Sequence, residues 1–259
     1  AAFDRVARTL AIRAFLTASG RGEARRRRFS DDASARSYEI VSAPGEPDLV
    51  LMNAPRLVLG PPVKHGKAYA EIAHTAQTVR PFIAIDHALR ERGVCAPEIV
   101  AADAEAGFLL LEHLGDGSFL DGQGRPVSER YAAAGALLAE LHRRPWYRRI
   151  VAPGGIAHEL PEFDRDALMI EVDLLPAWYL RWKTGRPADA AFLTAFEKAW
   201  NEVFDRLDGA EKSILLRDYH SPNIVWREDL SGFDRMGILD FQDALYGPSA
   251  YDVASLAMD

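Results

Sequence analysis

The 259 residues predict an α+β chain in two lobes, a small antiparallel β-sheet with helices followed by a mostly helical half. Three observations carry that expectation. Short β-prone runs punctuated by Gly, Pro, Asp and Ser lie before residue 113, and stripes of helical period dominate after it. The length allows two lobes of roughly 100–150 residues each as readily as one large domain. The division is placed so that residues 1–113 form the first lobe and 114–259 the second.

The chain opens on an amphipathic helix, because Phe3, Val6, Leu10 and Ala14 recur at helical spacing before Gly20. Strand-like runs follow at Arg28–Phe29, Tyr38–Val41 and Leu49–Met52, separated by Asp31-Asp32-Ala33-Ser34 and Pro44-Gly45-Glu46-Pro47. The run Arg25 to Arg28 reads as a solvated strand edge rather than an anion site, since so short a run suits an exposed edge. Pro55 to Gly66 reads as loop. Helix returns from Ala68 to Arg92, broken at Pro81 and stopped at Gly93, with Phe82, Ile85 and Leu89 inward. Strands at Glu98–Ala102 and Phe108–Glu112 bring the sheet to five.

In the second half, Ser128 is placed to cap a helix whose Tyr131, Ala134, Leu138 and Leu141 share a face. Phe192, Phe196, Trp200, Val203 and Leu207, spaced four, four, three and four apart, predict a helix whose apolar stripe meets a core. The tail breaks that period. Strand-like Ile214–Leu216 gives way to a polar loop, then Asn223–Trp226 and Met236–Leu239 pair around a turn at Asp229–Asp234.

Composition excludes several classes. With 31 basic and 38 acidic residues, the formal net charge of -7 argues against a general nucleic-acid binder. No apolar run approaches the roughly 18 residues of a membrane span, and Ala1 to Arg13 lacks the apolar core of an export signal. A single cysteine, Cys95, excludes an internal disulfide and a cysteine-built zinc ribbon. The expectation is a cytoplasmic protein that engages neither nucleic acid nor membrane.

Chemistry concentrates in the tail. Asp218 and Asn223 flank the polar loop, and Asp240 follows a strand expected to pair with Asn223–Trp226. Alone, Asp and Asn five residues apart more often cap turns. Here they fall between apolar strands together with a third carboxylate, the set that phosphoryl transfer needs: a carboxylate for the attacking hydroxyl, and oxygen ligands for Mg²⁺. An Arg-Asp loop, a hairpin and an Asp-Phe pair, in that order behind a β-rich half, also match the layout of kinase motifs.

The segments Leu216-Arg217-Asp218-Tyr219-His220-Ser221-Pro222-Asn223, Leu239-Asp240-Phe241-Gln242-Asp243-Ala244 and Gly247-Pro248-Ser249-Ala250-Tyr251-Asp252-Val253-Ala254-Ser255-Leu256 resemble the aminoglycoside phosphotransferase and choline kinase-like superfamily. Within it they look like the anomeric cell-wall amino sugar kinases, which act on N-acetylmuramate and N-acetylglucosamine. Asp32-Ala33-Ser34-Ala35-Arg36-Ser37-Tyr38, Met52-Asn53-Ala54-Pro55, Arg80-Pro81-Phe82 and Gly107-Phe108-Leu109-Leu110-Leu111-Glu112 extend the similarity over most of the chain. The resemblance implies a two-lobed protein-kinase-like fold and transfer of the ATP γ-phosphate to a small-molecule hydroxyl with ATP and Mg²⁺. It implies Asp218 as catalytic base, Asn223 and Asp240 as metal ligands, and a hinge from Glu112 to Leu114 that meets adenine through its backbone.

Two departures stand out. The strand-three lysine of kinases is missing, because Lys64, Lys67, Lys183, Lys198 and Lys212 all lie outside Leu49–Asn53. Arg36, at the start of the second strand, is the candidate replacement; an exposed strand arginine is the equally weighted alternative. The chain also stops at Asp259 in a helix starting near Ala250, where the resemblance implies further helices. His220 either orients Asp218 or packs the loop, with packing favoured, and His142 reads as structural. The rival functions are phosphorylation of another acceptor, such as choline, an aminoglycoside or a different sugar, and nucleotide binding by a pseudokinase scaffold.

Overall fold

The structure is a computed structural model that describes residues 2–29 and 36–259. Asp31-Asp32-Ala33-Ser34, and the part of the resembling segment up to Ala35, lie outside the described residues.

Helix α1 (Ala2–Ala18) forms where expected, but it buries a different face. Val6 and Leu10 are 59% and 60% exposed, whereas Ile12 and Leu16 are buried with Phe15 beside them. Arg8 sets this rotation. Its guanidinium donates to Asn53 Oδ1 (2.8 Å) and the Ala106 carbonyl (2.6 Å) and lies 3.9 Å over the Phe108 ring. Those bonds and the cation–π contact draw the turn carrying residues 8, 12 and 15 onto the sheet.

Strands β1 (Arg25–Arg28), β2 (Ser37–Ser42) and β3 (Leu49–Asn53) are followed by a small hairpin, β4 (Pro62–Lys64) and β5 (Lys67–Ala68), and by helices α2 (Tyr69–Ile72) and α3 (Arg80–Glu91). Strands β6 (Ile99–Asp103) and β7 (Phe108–Glu112) complete an antiparallel five-stranded sheet ordered β1-β2-β3-β7-β6. The central pair is apolar on both faces because both are covered: Leu49, Leu51, Phe108 and Leu110 pack under α1, while Met52, Leu109 and Leu111 face the main core. As the sequence suggests, the arginine run is an edge strand, with Arg26 in a bidentate pair with Glu39 (2.6 and 2.8 Å).

The helical stretch expected from Ala68 to Arg92 is divided as anticipated, but the break falls before Pro81 rather than at it. Residues 73–79 interrupt it, with His74 at a φ of 57°, and Pro81 sits at the start of α3, where its missing N–H costs no helical bond. Phe82, Ile85 and Leu89 are buried as expected, and Gly93 (φ 74°) ends the helix.

The second half holds α4 (Ser128–Arg143), a hairpin of β8 (Arg149–Ala152) and β9 (Ile156–Glu159), α5 (Arg165–Val172), a π-helical turn (Leu175–Leu180) running into α6 (Arg181–Thr184), and α7 (Ala190–Leu207). After it come β10 (Lys212–Leu215), β11 (Ile224–Trp226), β12 (Met236–Ile238), β13 (Leu245–Pro248) and α8 (Ala250–Ala257). Ser128 is the first helical residue rather than the cap, a position Val127 takes without a side-chain bond. The α7 stripe departs further from expectation. Phe192, Phe196, Trp200 and Phe204 contact one another in series, yet among them only Phe204 is buried, and Phe192 and Val203 are 39% and 42% exposed. Helix α7 meets α5 near its C-terminal half, where Arg165 binds Asn201 and Asp205, so no facing layer covers the rest among the described residues. No helix among the described residues is long and apolar enough to cross a membrane.

Candidate active site

Strand β10, paired with β13, leads into the loop 216–223, whose Pro222 and Asn223 line a cavity. The loop is held from inside. Asp252 of α8, fully buried, accepts the backbone N–H groups of Leu216 (2.7 Å) and Arg217 (3.0 Å), and the Tyr219 hydroxyl donates to the Ala134 carbonyl (2.9 Å). The loop also closes on itself, since the Asn223 amide Nδ2 donates to the Asp218 carbonyl (3.0 Å). In the β11–β12 hairpin, Ile224 opposes Ile238 and the Leu239 N–H donates to the Asn223 carbonyl (2.9 Å). Asp240, the next residue, therefore emerges at the same end as Asn223, with a left-handed φ of 56°. The structure thus brings Asp218, Asn223 and Asp240 together. Burial, reinforced by the Asp240 charge, raises the Asp218 carboxyl above its ordinary value, opposed by Arg217 and His220.

Asp240 has two further partners. Gln242 Nε2 donates to its Oδ1 (2.7 Å), and Arg36, reaching across from the start of β2, lies 3.4 Å from the same oxygen and 3.7 Å from Asp243 Oδ2. Gln242 is only 3% exposed, and its Oε1 has no partner among the described residues. Asp243 accepts the Ala76 N–H (2.6 Å), which ties the segment before α3 to this loop. His220 Nε2 faces Asn223 Nδ2 at 3.3 Å, and His142 Nε2 meets the Ile214 carbonyl at 3.0 Å, so both histidines brace backbone and loop.

A cavity of about 430 Å³ leads from these polar groups to the hinge. Tyr38, Val50 and Leu111 of the sheet form one wall, Val225 and Leu239 of the hairpin the other, and Phe82 closes the back against Phe241 (4.7 Å between rings). At the hinge, the Glu112 carboxylate binds Arg227 (3.0 Å) and the Glu98 N–H (3.2 Å), while the Glu112 N–H donates to the Glu98 carbonyl (2.8 Å). The Glu112 side chain is thus scaffold, tying the end of β7 to Arg227 and to the start of β6. Leu114 is buried against Gly237, where a Cβ would come within 2.7 Å of its Cδ1, so glycine is what lets it pack.

The donor set fits Mg²⁺ of one kind. Asn223 commits Nδ2 to the loop, which leaves Oδ1, and Asp240 adds a carboxylate at the same cleft end. One carboxylate and one amide oxygen would hold this cation only jointly with phosphate oxygens and water, not as a protein cage. No group of three or more His, Cys, Asp or Glu that could hold a metal ion gathers among the described residues. Reading the sequence assigned no role to Asp252, Gln242 or Asp243; the one available signal was a lone Asp inside the apolar run Tyr251-Asp252-Val253-Ala254.

The family model described as phosphotransferase enzyme family matches residues 25–259. The chain belongs to that family. Among curated relatives of this phosphotransferase-family chain, an N-acetylmuramate/N-acetylglucosamine kinase of Caulobacter vibrioides is 32% identical over 97% of the chain and 72% of the relative. A protein of the same name from Pseudomonas putida is 34% identical over 89% of the chain and 58% of its own length. Solved structures agree on the two-lobed kinase-like fold. An aminoglycoside phosphotransferase in a ternary complex with streptomycin and ATP superposes with a TM-score of 0.55 at 14% identity, covering 92% of this chain and 74% of that one. Choline kinase LicA from Streptococcus pneumoniae gives 0.54 at 11%, covering 99% and 74%.

Proposed function

We propose that this chain is the core of a small-molecule kinase that transfers the γ-phosphate of ATP to the C1 hydroxyl of N-acetylmuramate or N-acetylglucosamine. The observation that carries the reading is that Asn223 and Asp240 line one end of a cleft that reaches Glu112 to Leu114 at the other, with the Asp218 carboxyl close enough to feel the Asp240 charge. The relatives' names supply the acceptor.

Asp218 orients the attacking hydroxyl and takes its proton. A hemiacetal hydroxyl is more acidic than an ordinary alcohol, so the carboxylate does less proton-transfer work and positioning carries more of the rate. Asn223 and Asp240 hold Mg²⁺, which when bound neutralises charge on the phosphates. Arg36 replaces the absent strand-three lysine, and its seat between Asp240 and Asp243 is where a fixed positive charge meets the phosphate end of the cleft. The Glu112 carbonyl and the Leu114 backbone receive adenine, with residues 1–113 forming the nucleotide lobe and 114–259 the catalytic lobe. The protein works in the cytoplasm on a free sugar.

Free reducing sugars should be phosphorylated, methyl glycosides blocked at C1 should be inert, and sugars altered at C6 should still react. Phosphorus NMR of the product reads the position. Phosphorylation of a methyl glycoside, or a product that keeps its reducing end, would falsify the anomeric assignment.

A further inference from the structure

Arg217, the residue before Asp218, has a backbone φ of 68°, in the left-handed region that L side chains avoid. The Asp218 N–H donates back to the Leu216 carbonyl (2.9 Å), so Arg217 is the centre of a γ-turn of the rare positive-φ kind. Glycine would adopt this turn without strain. An arginine there calls for a reason in its side chain, and the structure supplies one.

The guanidinium, 13% exposed, donates to Glu171 Oε1 of α5 (2.6 Å) and to the carbonyl of Ala73, just past α2 (2.9 Å). These two anchors belong to different lobes. The stretch 62–74 leaves the five-stranded sheet and docks on α5: Lys64 lies 3.4 Å from Asp166, His74 Nε2 lies 2.9 Å from Asp164, and Ile72 and Ala73 pack on Ile170. Arg217 is the point where this strap, α5 and the catalytic loop meet.

We propose that Arg217 is a positioning residue for Asp218: its anchors on Glu171 and the Ala73 carbonyl hold the γ-turn that sets Asp218 beside Asn223 and Asp240, and so couple the seating of the 62–74 strap to the chemistry. The proposal rests on the reading of Asp218 as the hydroxyl's proton acceptor. A fork that meets two acceptors at once requires arginine, because a lysine ammonium on its flexible stem is not preorganised to span both.

The test uses Arg217→Gly, Arg217→Lys and Glu171→Gln in the full-length protein, with kcat, KM for ATP, nucleotide affinity by calorimetry and Tm. Glycine relieves the backbone strain while removing both anchors. The expected result is a kcat lower by roughly 10–100-fold, since misplacement by about an ångström costs that much. KM for ATP and nucleotide affinity should stay within about twofold. Glu171→Gln and Arg217→Lys should each lose part of kcat, and added guanidinium should restore part of the Arg217→Gly activity. A fully active Arg217→Gly overturns the proposal. So does a loss that tracks Tm and nucleotide affinity without guanidinium rescue, since that marks a purely structural residue. Where Arg217→Gly fails to fold, Glu171→Gln decides: it keeps the size of a partly buried side chain while removing its charge, and unchanged kcat there overturns the coupling. Asp218→Asn is run alongside, because full activity in that variant removes the underlying reading rather than the Arg217 proposal.

Discussion

Asp86 shows what a single buried carboxyl does to this molecule. It lies on the inward face of α3, 3% exposed, with Oδ1 unpartnered among the described residues. Burial, opposed by the Arg90 charge and reinforced by Glu112, pushes its carboxyl up to about 7. The folded-state value is raised above the unfolded one, so the folded chain holds the proton more tightly. Its stabilising contribution is complete below about pH 4 and is lost as pH rises through about 7, on the order of a few kcal/mol in total. Asp86→Asn stays neutral throughout. Its denaturation midpoint should fall less between pH 5 and pH 8 than the wild type's and should exceed it at pH 8. Some slope should persist, because Asp252 is pushed up to about 7 by burial and then by Asp218. Parallel curves for the two proteins would exclude Asp86 as the source.

At the scale of elements, the β11–β12 hairpin is what converts a sequence separation into a site. The Leu239 to Asn223 hydrogen bond fixes Asp240 beside Asn223, and Gln242 orients its carboxylate. Titrating Mg²⁺ should show a higher requirement in both Asp240→Ala and Asn223→Ala, the larger in Asp240→Ala because it deletes a charged oxygen ligand. An unchanged requirement in both variants contradicts the assignment. This hairpin was legible in the sequence because polar residues interrupt short apolar strands at fixed spacing. The five strands of the sheet were legible for a similar reason, since each is bounded by turn residues. The buried face of α1 was not: Val6 and Leu10 fit the period, but Arg8 finds its partners on residues 53, 106 and 108, which no local pattern reveals. Periodicity likewise announced the apolar stripe of α7 without saying what lies against it. Asp86 and Gln242 were silent because burial of a polar side chain is a tertiary property.

For the whole molecule, the chain before residue 113 meets the chain after it in several places among the described residues. Arg227 braces Glu112, the 62–74 strap reaches Arg217 and α5, α3 packs on the β8–β9 hairpin, and Asp243 accepts the Ala76 N–H. The cleft has Asn223, Asp240 and Gln242 at one end, with Arg36 and Asp218 beside Asp240, and Glu112 to Leu114 at the other. On the proposed reading, nucleotide binding and proton acceptance are separable, because most of the cleft wall belongs to the sheet and the hairpin rather than to the turn that carries Asp218. The most direct measurement is the turnover of Asp218→Asn with ATP and N-acetylmuramate, taken together with its nucleotide affinity. Loss of a general base predicts a kcat lower by roughly 10²–10⁴ with nucleotide affinity nearly unchanged. A variant that binds nucleotide normally and turns over near the wild-type rate would contradict the account.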